Sequence, residues 1–214
     1  MELNNVQFVN SVMGITERKE RYTQNMRQSV LDAAMELYHE KGIEALTIRA
    51  IAERIEFSPA TIYLYFRDKD DIVYQLYNIA FGKFYEKQLE WNSIADPLER
   101  LRHGCKHYVE WGIQNPKLYD LMFILEIPMN VIEEKNCQDN GLRSFDELKK
   151  LLAECIAADK IKIKDAELAA MMCWNMIHGV TSLLIKKRIV IAHEAVAQMT
   201  DAILDTYFLL VAKQ

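Results

Sequence analysis

The chain has 214 residues, half of them apolar and 27% charged, with a formal net charge of −5. It is long enough for one large domain or two small ones with a real core, in a composition ordinary for a globular protein. The acidic balance argues against a protein coated in nucleic acid, yet leaves room for one short DNA-reading element.

Residues 1–20 are polar and aperiodic and read as a flexible arm ending in the basic cluster Arg18, Lys19 and Arg21, followed by Arg27. From Thr23 to Glu40 the apolar residues Val30, Ala33, Ala34, Leu37 and Tyr38 return at helical spacing, and Gly42 closes the helix. Thr47 is placed to cap a short helix, IRAIAERI, with Ile48, Ile51, Ala52 and Ile55 inward. After a turn at EFS, Ser58 caps a helix of about two turns from Pro59 to Phe66, where the proline fits the first turn. Asp68, with Asp71 three positions on, opens a longer helix through Ile72, Leu76, Ile79 and Ala80 to about Trp91. The two short helices cannot persist alone and must lean on the long ones, with Ile48, Ile51, Ile62 and Phe66 as the shared core.

Past Pro97 a helix carries the stripe Leu101, Cys105, Tyr108, Val109 and Gly112 and is interrupted at Asn115–Pro116. PKLYDLMFILEI follows and ends or kinks at Pro128. Further helices are expected over Leu142–Ala158, with Phe145, Leu148, Leu151, Leu152 and Cys155, then from Asp165 through Ile185, and over Ala192–Val211. No alternating strand stands out. The expected fold is all-α, with about nine or ten helices. The division is an arm at 1–20, a three-helix, helix-turn-helix head at 21–72, and a larger helical domain at 73–214.

The cysteines Cys105, Cys137, Cys155 and Cys173 show no short spacing, which removes zinc-finger and redox-pair readings and leaves them as packing residues. The opening MELNNVQFVNSVMG has neither the basic start nor the apolar run of a signal peptide, and no window reaches about eighteen uninterrupted apolar residues. A reducing cytoplasm is expected, with no membrane partner, no cofactor and no metal.

Two short helices joined by a tight turn can set the second into a DNA major groove, which admits one helix. Ile62 and Phe66 face inward, which frees Pro59, Ala60, Thr61, Tyr63 and Leu64 to face outward. Thr61 offers a hydroxyl and a methyl, Tyr63 and Tyr65 offer phenols, and Pro59, Ala60 and Leu64 suit thymine methyls. The helix has no Arg or Asn for bidentate base reading, so Arg49 on the preceding helix is the candidate for that task and Lys69 for the DNA backbone. Thr47 to Lys69 holds four basic and three acidic residues, one net positive charge. The basic arm is open to two readings, a minor-groove or phosphate contact and a solvated tail.

LTIRAIAERIEFSPATIYLYFRDKDDIVYQLY resembles the DNA-binding region of TetR-family transcriptional regulators. The family pattern is met at Thr47, Ile48, Arg49, Ile51, Ala52, Ser58, Thr61, Ile62, Tyr63, Tyr65, Phe66 and Lys69, and the likeness runs over roughly residues 26–76. The resemblance implies phosphate contacts from Thr47, Ser58, Tyr63 and Lys69 and base contacts from Arg49, Ala60, Thr61 and Leu64. Two positions depart from it: Glu56 stands where the family often has glycine, and Pro59–Ala60 where it often has Lys-Gly.

Two copies would read a palindromic operator as a homodimer. TetR-like regulators pair two late helices with their copies, which makes Leu148, Leu152, Ile177, Thr181 and Leu184 the candidate stripe; internal packing is the other reading of each. Tyr108, Trp111, Tyr119, Met122 and Phe123, with Met171, Trp174, His178 and the neighbouring Met172 and Met176, suit a site for a small apolar effector, or equally an aromatic core. Trp174, His178 and Gly179, after YVEWGIQNPKLYDLMF, resemble the ligand domain of one TetR-like subgroup. The expected function is a ligand-responsive, DNA-binding transcriptional regulator, a repressor by family habit. The competing readings are a helical metal-dependent enzyme, for which His103 and His107 lie four apart, and an interaction protein that binds no DNA. No serine elbow, phosphate loop or dinucleotide fingerprint supports an enzyme.

Overall fold

The structure, a computed structural model, describes residues 3–125, 139–189 and 191–213, with side chains from Gly14 onward except that of His193. Pro128 and Cys137 lie outside the described residues. These contain nine α-helices and no strand, apart from one isolated antiparallel bridge between Ile161 and Ala212. The helices are α1 (Leu3–Lys41), α2 (Ile48–Arg54), α3 (Pro59–Ile62), α4 (Lys69–Glu90), α5 (Pro97–Gln114), α6 (Pro116–Phe123), α7 (Asn140–Ala157), α8 (Ala166–Ile185) and α9 (His193–Val211). The chain divides into two compact units, the first running through Leu76 and the second beginning at Tyr77, so α4 contributes to both.

The first unit packs α1, α2, α3 and the start of α4 around Val30, Ala34, Leu37, Leu46, Ile51, Ala52, Ile62, Phe66 and Ile72. Local capping sets the boundaries. Thr47 Oγ1 accepts the Ala50 N–H at 3.1 Å and Ser58 Oγ accepts that of Thr61 at 3.2 Å. Asp68 Oδ1 takes the Asp71 N–H at 2.8 Å while Asp71 Oδ2 takes that of Arg67 at 3.2 Å, two bonds that together fix the entry to α4. Gly42 turns the chain after α1 with φ 81° and ψ −177°, a conformation that suits a residue without Cβ.

Two expectations change here. Of the aperiodic arm expected for residues 1–20, residues 3–20 form the first half of α1, which is 39 residues long. The sequence does hold a helical signal there that the polar composition hides: Leu3, Val6, Val9 and Met13 recur at spacings of three and four, and Glu17 and Arg21 are four apart in the favoured order. The second change is that α3 is four residues, not two turns. Beyond it the bonds tighten to i−3 at Leu64 (to Thr61 O, 3.2 Å) and Tyr65 (to Ile62 O, 2.9 Å), although Phe66 still reaches Ile62 O at 3.0 Å.

In the second unit α5 is the central helix, packed by α7, α8 and α9. Its inner face is Leu101, Cys105, Tyr108, Val109, Trp111 and Gly112, as its spacing implies. Asp96 caps α5 and Asp165 caps α8. Gly112 lets α5 and α8 come close: a Cβ there would lie 2.5 Å from Thr181 Cγ2 and 3.0 Å from the Tyr119 ring. Cys105 and Cys173, excluded above as a pair because they are distant in sequence, bring their sulfurs to 3.4 Å across this seam. Spacing along the chain detects only pairs made within one turn or loop.

Candidate functional site

The turn and α3 present a surface divided by burial. Ile62 and Phe66 are 0% and 2% exposed, whereas Tyr63 and Leu64 are 57% and 77% exposed. Pro59, Ala60 and Ser58 are exposed beside them, and Thr61 and Tyr65 are half-buried. Ser58 Oγ meets Thr61 Oγ1 at 3.0 Å, so the two hydroxyls orient each other at the start of α3. Phe57, 43% exposed, adds an outward ring that the sequence reading passed over as part of the turn. Glu56, where glycine is usual, takes φ 59°, so the turn keeps a left-handed residue without glycine.

The cations from Arg49 to Lys69 are engaged. Arg49 is exposed, with its Nε donating to Glu53 Oε1 at 2.8 Å, a bond that also raises its pKa. Arg54 grips Glu40 at 2.6 Å and reaches Glu36 at 3.3 Å. Arg67 pairs with Asp68 at 3.1 Å, and Lys69 Nζ donates to the Ile43 carbonyl at 3.3 Å. Arg27, grouped above with the basic arm, is a structural residue. Its guanidinium lies 4.3 Å from the centre of the Phe66 ring and donates to the Tyr65 carbonyl, fastening the end of the reading turn to α1. Arg18, Lys19 and Arg21 are exposed on the helical surface of α1.

In the second unit, five of the eight candidate sensor residues converge. Phe123 sits among Tyr119, His178, Tyr108 and Trp174, with ring centres 4.9, 5.4, 5.7 and 6.2 Å away. Tyr119 stacks on His178 at 5.5 Å. His178 Nδ1 meets the Tyr119 hydroxyl at 2.7 Å and that of Tyr108 at 3.2 Å, while Trp174 Nε1–H donates to Tyr108 Oη at 3.4 Å. The two phenols compete for one ring nitrogen, which can face only one of them squarely. Burial lowers the pKa of His178 and raises those of Tyr108 and Tyr119, so all three are neutral at neutral pH. The cluster is a packed aromatic group with a few uncharged hydrogen-bonding atoms.

Trp111 is buried a step away, against Phe84, which also meets Tyr108. Met122 is buried, and Met171, 39% exposed, points outside the core. Phe81, Phe84 and Phe145 join the ring network and were missed. Tyr77, Phe81 and Phe84 recur at spacings of four and three along α4, a stripe separate from the Ile72, Leu76, Ile79 and Ala80 by which that helix is read.

The expected dimer stripe is partly internal. Leu152, Ile177 and Thr181 are buried at 1%, 4% and 0%, because α5 occupies the side of α7 and α8 they share. The exposed apolar face of α8 is instead Leu168, Met171, Met172 and Leu183. By length and composition alone α8 is apolar enough to cross a membrane, a test that core helices also pass. His103 and His107 both pack edge-on against Trp91, at 5.7 and 5.0 Å, which accounts for their spacing. Among the described residues no group of three or more His, Cys, Asp or Glu could hold a metal ion.

A short, capped helix held from within and bare on its outer side, followed by a separate helical unit with an aromatic cluster, defines a helix-turn-helix regulator. Residues 30–76 match the description "Bacterial regulatory proteins, tetR family", and residues 101–207 match "Tetracyclin repressor-like, C-terminal domain". The chain belongs to the TetR family of bacterial transcriptional regulators. It is 26% identical to the HTH-type transcriptional regulator AcrR of Shigella flexneri over 151 residues, 67% of this chain and 70% of that protein. A protein of unknown function from Rhodococcus sp. RHA1 shares the fold with a TM-score of 0.72 at 22% identity, over 87% of this chain and 95% of that one. FadR of Bacillus subtilis, solved in complex with stearoyl-CoA, does so with a TM-score of 0.65 at 22% identity, over 83% and 95%. The protein is thus a ligand-responsive, DNA-binding transcriptional regulator, a class distinct from enzymes.

Proposed function

We propose that the chain acts in the cytoplasm as a homodimeric repressor of a palindromic operator, released by a small, largely apolar effector. The observation that carries this reading is the division of the reading turn, with Ile62 and Phe66 enclosed while Tyr63 and Leu64 stand in solvent. In the complex Thr47, Ser58, Tyr63 and Lys69 hold phosphates. Arg49, Ala60, Thr61 and Leu64 approach bases, while Pro59 and Tyr65 line the groove. Arg49 exchanges Glu53 for its DNA partner. With one net positive charge over Thr47–Lys69, methyl contacts and groove shape carry much of the discrimination.

The effector occupies the cluster of Tyr108, Tyr119, Phe123, Trp174 and His178, and repression is relieved by its preference for the DNA-incompetent dimer. Trp111 and Met122 flank that site. The exposed face of α8 supplies the dimer contact. An acyl thioester is the first probe to try, since FadR of Bacillus subtilis shares the fold and was solved with stearoyl-CoA.

Selection of bound duplexes from a random pool tests the DNA half of the reading. A symmetric consensus with half-sites about one helical turn apart, or a multiple of it, is expected; enrichment of no sequence overturns it. Titration of the selected complex with stearoyl-CoA, read by tryptophan emission and DNA release together, tests the sensor half for this ligand class. Saturable binding without release removes the switch.

A further inference from the structure

Two thiols that lie 68 residues apart in sequence meet inside the second unit. Cys105 on α5 and Cys173 on α8 hold their sulfurs 3.4 Å apart, and the residues are 2% and 0% exposed. The seam between the helices is narrow, as the approach of Gly112 to Thr181 about two turns further along both helices shows. A tight seam of this kind favours the Cα separation of roughly 4.4–6.8 Å that a disulfide requires. Bond formation needs the sulfurs to close from 3.4 Å to about 2 Å, a small contraction. The pair also adjoins the aromatic cluster: Tyr108 follows Cys105 by three residues, and Trp174 is next to Cys173.

We propose that Cys105 and Cys173 form an oxidative modification site, closed by peroxide into a disulfide that fixes α5 to α8 beside the aromatic cluster and thereby resets operator affinity. The first thiol, as its thiolate, attacks one peroxide oxygen, and the O–O bond breaks. The products are a sulfenic acid and one water, formed from the departing hydroxide and the thiol proton. The second sulfur attacks the sulfenic sulfur; its proton leaves with the expelled hydroxide as a second water. Two thiols and one hydrogen peroxide give one disulfide and two waters, with sulfur oxidised and peroxide oxygen reduced.

The hydrogen bond shared with Cys173, together with burial, pushes the Cys105 thiol well above its ordinary range, and the nearby Cys155 adds to this while Arg102 opposes it. The reduced pair is therefore slow to react at neutral pH and answers to sustained rather than passing exposure. Burial also raises Cys155, on α7, to about 11.

The test treats the full chain with hydrogen peroxide and follows intact mass, peptide mapping, thermal unfolding and affinity for the selected operator. A mass loss of about 2 Da with a Cys105–Cys173 cross-linked peptide, reversed by dithiothreitol, is expected. It is absent in Cys105→Ser and in Cys173→Ser, with Cys105→Ala and Cys173→Ala as second variants, and it is retained in Cys155→Ser. The cross-link raises Tm by about 5 °C or more, because it closes a long loop in the unfolded chain. Absence of the cross-link, or its mapping to other cysteines, overturns the site. The regulatory part rests on the function proposed above and is read separately. A change in operator affinity of at least about fivefold that dithiothreitol reverses is expected. A cross-linked chain with unchanged affinity overturns the regulatory role and leaves the DNA-binding reading untouched.

Discussion

Tyr63 and Leu64 owe their exposure to the two side chains that bracket them. Ile62 and Phe66 are four apart and bury almost completely, and Tyr63 and Leu64 between them are left on the outer side. Replacing Tyr63 by alanine removes one outward phenol and touches none of the core. Tyr63→Ala is expected to lose specific operator binding, by about 1.5–3 kcal/mol per protomer for a phosphate hydrogen bond. Circular dichroism and elution volume should not change. A gel-shift titration identical to wild type would remove Tyr63 from the interface. The turn before it carries a different kind of strain. Glu56 at φ 59° bears the steric cost that a Cβ meets in the left-handed region. Glu56→Gly should stabilise the chain by on the order of 0.5–1 kcal/mol, the relief being offset in part by glycine's greater backbone entropy. Urea unfolding reads this, and a lower midpoint would contradict the strain. The departure from glycine at position 56 was legible in the sequence; that the backbone keeps its left-handed turn regardless was not, because a side chain's identity does not reveal what its neighbours force on it.

At the scale of elements, capping chemistry was the most legible signal. Thr47, Ser58 and Asp68 were assigned as caps from their type and position, and each accepts the expected N–H. The helices α5, α7, α8 and α9 begin and end within about two residues of where their apolar periodicity puts them. Contacts between elements were far less legible. The burial of Leu152, Ile177 and Thr181 depends on which side of α7 and α8 faces α5, and a helical stripe names a face without naming its partner. Gly112 marks the point where that choice is made. Gly112→Ala should destabilise the chain by about 1–3 kcal/mol through the clash with Thr181 and Tyr119. Thr181→Ser in the same chain removes the offending methyl, keeps a hydroxyl able to donate to the Ile177 carbonyl as that of Thr181 does at 2.6 Å, and should recover part of the loss. Thermal unfolding of the single and double variants decides this; a neutral Gly112→Ala would mean that the seam opens freely.

For the molecule as a whole, the apolar face of α8 makes association the natural next step. Leu168 and Leu183 are 55% and 44% exposed on a helix with few charges. A face of that kind suits contact with a second copy. Placing glutamate at both positions should yield a monomer by light scattering, with operator affinity lowered by at least about a hundredfold, since a single four-residue reading helix has too little to hold. A dimer that persists would shift the interface elsewhere, with Leu209 and Leu210, 71% and 67% exposed on α9, as the next apolar surface.

Arg27 makes a different point about charge. Its guanidinium lies over the Phe66 ring while donating to the Tyr65 carbonyl, two tasks that suit a planar, forked cation. A lysine in its place would preserve the formal charge and lose both. Counting basic residues along the N-terminal third therefore overstates its pull on a polyanion, because part of that charge is mortar between helices.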